Sequence, residues 1–204
     1  MTITEILARN ARRYPDLPAL TEIAPSKNFR REITWKQFDD RANQVANALM
    51  KRGIKKGDRV MHLMINSIPW LETYFGVLKT GAWVAPLNFR FIADQIKFCV
   101  DAAEPVAMIL DESFAERVEA IRSQLPTVKH FIFVGENVPT GMEAYEDFMK
   151  GASAKPPDVK LGFDDEAALY FTSGTTGQPK ATLLCHRSLE HAAVNENYAH
   201  RETY

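Results

Sequence analysis

From Arg59 to Val134, short apolar runs alternate with amphipathic stretches, and that alternation leaves few architectures open to the chain. Arg59-Val-Met-His-Leu-Met64 reads as a strand. Asn66 or Ser67 then caps a helix through Leu78 with Pro69 in its first turn, and Gly81 stops it before the next strand, which ends near Asn88. Ile92 to Ala103 predicts a helix with Ile96, Phe98, Cys99 and Val100 facing inward. Val106 to Leu110 predicts a strand, Phe114 to Leu125 a helix, and His130 to Val134 another strand. Strands joined through helices pair in parallel with right-handed crossovers. The expectation is therefore an α/β fold, a mostly parallel sheet flanked by helices.

Upstream, Thr4 to Arg13 reads as a short helix capped by Thr4, and Ala19–Ile23 and Phe29–Ile33 as a hairpin. In Thr34-Trp-Lys-Gln37 the threonine can accept from the third amide of a helix while Gln37 reaches back to the cap. Phe38, Ala42, Val45, Ala46 and Leu49 form that helix's apolar face, and Gly53 ends it. Downstream, Met142 to Lys150 is a short helical piece, followed by small residues and paired prolines from Gly151 to Asp158. The expected division is a first subdomain over 1–151, a linker over 152–160, and the start of a second subdomain over 161–204.

That second part opens with the stretch whose residue choices are chemical. Ala167 to Phe171 suits a buried strand, after which Thr172-Ser-Gly-Thr-Thr-Gly-Gln-Pro-Lys180 turns small, hydroxylated and glycine-rich. Gly174 and Gly177 permit positive φ and close backbone approach, so successive N–H groups can point inward together. Thr172, Ser173, Thr175 and Thr176 add hydroxyl donors, and Lys180 adds a compact positive charge suited to a phosphate oxygen. A plain reversal between strands is the alternative, but four hydroxyls, two glycines and a lysine exceed what a reversal needs. A Walker P-loop is excluded. Its second glycine would fall on Pro179, and Ala181 to Cys185 continues as a strand where that motif needs a helix.

The same stretch resembles the signature loop of the adenylate-forming superfamily, which includes AMP-forming acyl-CoA synthetases, firefly-type luciferases and peptide-synthetase adenylation domains. Two further blocks are similar to that family: Thr34 to Leu49 around Arg41-Ala-Asn43, and Leu78 to Asn88. Asn88 resembles the acyl-CoA synthetase and luciferase branch, where peptide-synthetase domains commonly carry aspartate. Ala181 and Thr182 depart from the Gly-Val that many members place after the lysine. The resemblance implies an enzyme, an ATP-dependent acid–CoA ligase, and the two distant cysteines, Cys99 and Cys185, suit a reducing cytoplasm. A small-molecule carboxylate, fatty or otherwise apolar, and ATP would give acyl-AMP and pyrophosphate, and coenzyme A would then give the thioester and AMP. ATP, Mg2+ and coenzyme A are the implied cofactors, with Thr172, Ser173, Gly174, Thr175, Thr176, Gly177 and Lys180 as phosphate ligands. No catalytic residue and no protein metal ligand is assigned.

The family's adenine, ribose and metal motifs lie beyond Tyr204 in longer members, so the chain is expected to be an N-terminal part that cannot form adenylate alone. Loading of another thiol acceptor and a non-catalytic interaction module stay open as alternatives, as does a homodimer.

Composition excludes other classes. Twenty-five basic against 26 acidic residues leave a net charge of −1, so no electrostatic footprint points to nucleic acid. Cys99 and Cys185 lack metal-ligand spacing, and no apolar run approaches the ~18 residues of a membrane span. His62 sits in an apolar run and reads as a satisfied core histidine. Trp70, Tyr74 and Phe75 read as core, Arg41 and Asn43 as local structure, and the neighbours Cys185 and His186 as pointing apart rather than forming a nucleophile–base pair.

Overall fold

The computed structural model describes residues 1–172 and 179–201. Helix α1 (Ile3–Arg13) is capped by Thr2, whose hydroxyl accepts from the Glu5 amide while the Glu5 carboxylate accepts from the Thr2 amide. The cap falls two residues earlier than expected because the Thr-x-x-Glu spacing that makes a reciprocal box runs from Thr2; Thr4 has Leu7 at the required position. The hairpin β1 (Pro18–Ala24) and β2 (Phe29–Thr34) follows. A single 3-10 turn, Pro25–Lys27, joins its strands, and Asn28 takes the left-handed conformation at φ 47°. Thr34 and Gln37 then form the predicted capping box at the head of α2 (Trp35–Lys51).

The sheet assembles next. In chain order come β3 (Arg59–Leu63), α3 (Ile68–Lys79), β4 (Trp83–Pro86), α4 (Ala93–Ala103), β5 (Ala107–Asp111), α5 (Ala115–Glu119), β6 (His130–Val134), β7 (Glu143–Ala144), α6 (Tyr145–Met149), β8 (Glu166–Thr172), β9 (Lys180–Cys185) and α7 (His186–Arg201). Seven strands form one sheet in the order β7-β6-β5-β3-β4-β8-β9, parallel throughout except for the antiparallel β8–β9 pair. This is the mostly parallel α/β sheet that the alternation predicts. One face packs Val60, Val84, Ile109 and Ile132 against α2, α3 and α6; the other packs Met61, Leu63, Met108 and Leu110 against α4 and α5.

Three local expectations fail, each for a visible reason. The helix foreseen over Phe114–Leu125 is broken into a 3-10 turn at Glu112–Phe114, α5, and a second 3-10 turn at Arg122–Gln124. Leu125 precedes Pro126, whose ring bars it from helical geometry, so the segment tightens before it ends. Phe98 is 37% exposed, because α4 buries Ile96, Cys99, Val100 and Ala103, and position 98 lies off that stripe. The piece over Met142–Lys150 spends Glu143 and Ala144 as a strand beside β6 before α6 begins.

Polar side chains fix the layers to one another. Lys79, 6% exposed, donates to Asp39 at 2.6 Å and to Asn43 at 2.7 Å, joining α3 to α2. Arg41 makes paired bonds of 3.0 Å to buried Glu72 and also holds Glu146 of α6. Arg41 and Asn43 are thus structural, as expected. The Asn43 and Asn47 amides also donate to the carbonyls of Ala154, Ser153 and Lys155 at 2.8–3.0 Å, strapping the extended stretch after α6 across α2.

Helices α2 and α3 approach closely at Gly76, where an added Cβ would enter the Val45 side chain and stand 3.1 Å from the Ala42 carbonyl oxygen. Val45 is β-branched and cannot swing aside. Gly76→Ala is therefore expected to lower stability by about 1–3 kcal/mol, against the gain of about 1 kcal/mol that alanine gives in an unhindered helix. The urea midpoint measures the difference.

Candidate functional site

β8 carries the candidate loop out of the sheet. Its first half lies beside β4, with Val84 opposite Ala168, and its last residues pair with β9 alone, ending with Thr172 opposite Lys180. Directly opposed residues of an antiparallel pair project to one face, so the Thr172 and Lys180 side chains share a side. Alternation along β8 makes it the side of Tyr170, toward α2 and α3. The Thr172 hydroxyl donates to the Lys180 carbonyl at 3.4 Å, closing the base of the loop. Lys180 is exposed, and among the described residues its ammonium has no hydrogen-bond or ion-pair partner. Ser173, Gly174, Thr175, Thr176 and Gly177 lie outside the described residues. The structure thus brings together the first and last members of the predicted set, at the carboxyl ends of the parallel strands, where open α/β sheets gather ligands.

An aromatic cluster underlies this end of the sheet. His62, the fourth residue of β3, is 0% exposed, and its ring centroid lies 4.6 Å from that of Trp70. Trp70 stacks on Tyr74 at 5.3 Å and 8°, and the Tyr74 hydroxyl lies 2.8 Å from the Tyr170 hydroxyl. His62 is a core residue, as expected, but not a satisfied one, since neither ring nitrogen has a hydrogen-bond partner among the described residues. Burial alone lowers its pKa from 6.5 to about 3, so the ring is neutral. Sequence reading took Tyr74 for packing and did not single out Tyr170. Only the folded register puts residues 96 apart in sequence within hydroxyl contact.

The other candidates do not assemble. The Cys185 sulfur contacts the Ser188 hydroxyl at 3.3 Å. That contact, together with backbone amides at the start of α7, lowers the thiol's pKa. His186 is buried, and burial lowers its imidazole pKa too. No hydrogen bond links the two among the described residues. Among those residues no group of three or more His, Cys, Asp and Glu side chains could hold a metal ion, and no helix is long and apolar enough to cross a membrane.

Fold and placement together define an open α/β protein with a hydroxyl and an ammonium at the base of one loop on the carboxyl edge of its sheet. The chain belongs to the AMP-binding enzyme family, whose model matches residues 7–203. It is 34% identical over 191 residues to the long-chain-fatty-acid–CoA ligase FadD13 of Mycobacterium tuberculosis, covering 92% of this chain and 36% of that protein. A 3-hydroxybenzoate–CoA/4-hydroxybenzoate–CoA ligase of Thauera aromatica is 31% identical over 160 residues, covering 78% and 31% of the two chains. Among solved structures, the anthranilate CoA ligase AuaEII in complex with anthranoyl-AMP superposes with a TM-score of 0.84 at 28% identity, covering 91% and 35%. The chain spans about a third of the length of each.

Neutral His62 makes stability depend on pH. The unfolded chain takes up a proton below 6.5 that the folded chain refuses until about 3, so stability falls as pH drops through that window and is unaffected above it. His62→Leu removes this linkage. Its stability relative to the parent should rise by about 2 kcal/mol between pH 6.5 and 4.5, read from denaturant midpoints at both pH values. An unchanged difference would place the imidazole in contact with water.

Proposed function

We propose that this chain forms the triphosphate-gripping part of an ATP-dependent, AMP-forming acid–CoA ligase. The carrying observation is the opposition of Thr172 and Lys180 on one face at the carboxyl end of β8, in a chain of the AMP-binding enzyme family. In this reading Ser173, Gly174, Thr175, Thr176 and Gly177 complete the cradle between them. A carboxylate oxygen attacks the α-phosphorus of ATP and pyrophosphate departs, leaving acyl-AMP. The thiolate of coenzyme A then attacks the acyl carbon, giving the thioester and releasing AMP.

Lys180 acts in the first half. An ammonium 4 Å from a phosphate charge is worth about 4 kcal/mol at an effective dielectric of 20, before desolvation reduces it. The same charge steadies the leaving pyrophosphate. The described residues offer no carboxylate cage, so Mg2+ would arrive on the phosphates with its waters, as that ion commonly does. A fatty or other apolar acid is the proposed substrate class, supported by the 34% identity to a long-chain-fatty-acid–CoA ligase. A cytoplasmic location fits the two cysteines, both free. The reading also divides the chain at 152–160, with the loop belonging to the second part, and includes a homodimer, which light scattering tests.

Titration of Mg-ATP against the 204-residue chain tests the central claim. The amides of Gly174 to Lys180 should shift on binding, and Lys180→Ala should weaken affinity about tenfold or more, as expected from losing one charge-assisted hydrogen bond. The chain alone should show no carboxylate-dependent ATP–pyrophosphate exchange. Equal affinity in the alanine variant would remove Lys180 from the site.

A further inference from the structure

The end of β8 that presents Thr172 is poorly supported by the sheet. β4 stops at Pro86, which has no N–H to give, and the next amide, that of Leu87, donates to His62 of β3 at 2.9 Å. Val84 opposite Ala168 is the one register pair between β4 and β8. Beyond it, Leu169, Tyr170, Phe171 and Thr172 pair only with Leu183, Thr182, Ala181 and Lys180 of β9, the outermost strand. A two-stranded ribbon is marginally stable by itself, so its direction must come from side chains.

On one face Leu169 and Phe171 rest against the α4–α5 core, a non-directional contact. On the other, Tyr170 meets Tyr74 hydroxyl to hydroxyl at 2.8 Å. Among the described residues this is the sole side-chain hydrogen bond from Leu169–Thr172 to any element other than β9. Its anchor is rigid. Tyr74 is 7% exposed, stacked on Trp70 and edge-on to Phe75 at 5.9 Å. Burial raises the pKa of both phenols, so the bond joins two neutral hydroxyls and does not break with modest changes of pH.

We propose that Tyr74 is a positioning residue for the triphosphate. Its bond to Tyr170 sets the angle at which the β8–β9 ribbon leaves the sheet, and with it the place where the Thr172 hydroxyl and the Lys180 ammonium meet a phosphate. The proposal rests on reading the loop as a phosphate site. Tyr170 and Thr172 lie on one face two residues apart, so any swing of the phenol moves the threonine with it.

Tyr74→Phe, Tyr170→Phe and the double variant test this in the 204-residue chain. Without nucleotide, exchange of the Tyr170–Thr172 and Ala181–Thr182 amides should speed about three- to tenfold in each, the span of one neutral hydrogen bond, with β3 and β5 unchanged. The double variant should go no further than either single, because one bond is lost in all three. Affinity for Mg-ATP should weaken by a similar factor. Unchanged ribbon exchange, or an equal rise across β3 and β5, overturns the proposal by leaving only a packing role. If the parent binds Mg-ATP, Lys180→Ala binds weakly and the tyrosine variants bind like the parent, positioning fails while the phosphate reading stands. If the parent binds no nucleotide, that reading fails and the proposal falls with it.

Discussion

β3 is enclosed on both faces and both edges, and the rest of the molecule is arranged around that enclosure. Val60, Met61, His62 and Leu63 have no exposed surface, with β4 and β5 on either side and a helical layer above and below. A strand so placed can be polar only in its backbone, which the two neighbouring ladders satisfy. His62 breaks that rule: its ring nitrogens have no hydrogen-bond partner among the described residues, and burying them so costs free energy. The layer above is held in register by Lys79, Asp39 and Asn43. That group tolerates burial because the charge is paired and further hydrogen-bonded.

The proposed phosphate site lies where parallel order stops. β8 enters the sheet parallel to β4 and pairs antiparallel with β9, so Thr172 and Lys180 stand opposite each other at the carboxyl edge. The reversal delivers both ends of the loop to one place. A crossover needs about a dozen residues or more and would start the next strand at the opposite edge. Shortness of β4 then frees the ribbon from lateral constraint, so precision at the loop depends on a few side chains beneath it.

Much of this was legible beforehand because its signals were local. The Thr34–Gln37 box, Ser67 before Pro69 and the apolar runs of β3, β5 and β6 each follow from neighbours in sequence. The expectation of a phosphate loop rests on residue type alone. What stayed hidden depended on distant partners or on competition between nearby signals. The hydroxyl pair of Tyr74 and Tyr170 belongs to register, and the missing partners of His62 belong to packing. The break after α5 set a helical apolar stripe through Phe114, Val118, Ile121 and Leu125 against the proline that follows, and the proline decided where it ended. The cap of α1 was misplaced because two threonines stand two apart and only one has a glutamate three residues on.

The strap across α2 has a consequence for how this molecule can change over time. Asn43 and Asn47 grip carbonyls of Ser153, Ala154 and Lys155, groups that every amino acid supplies. Identity along the strap is therefore free to drift, whereas length is not. One residue inserted within Ser153–Lys155 would break the spacing of the three carbonyls that Asn43 and Asn47 hold, whereas the irregular stretch from Pro156 to Asp165 can take up extra length before β8 begins. Substitutions at those three positions leave the strap's bonds in place, because only backbone oxygens are held.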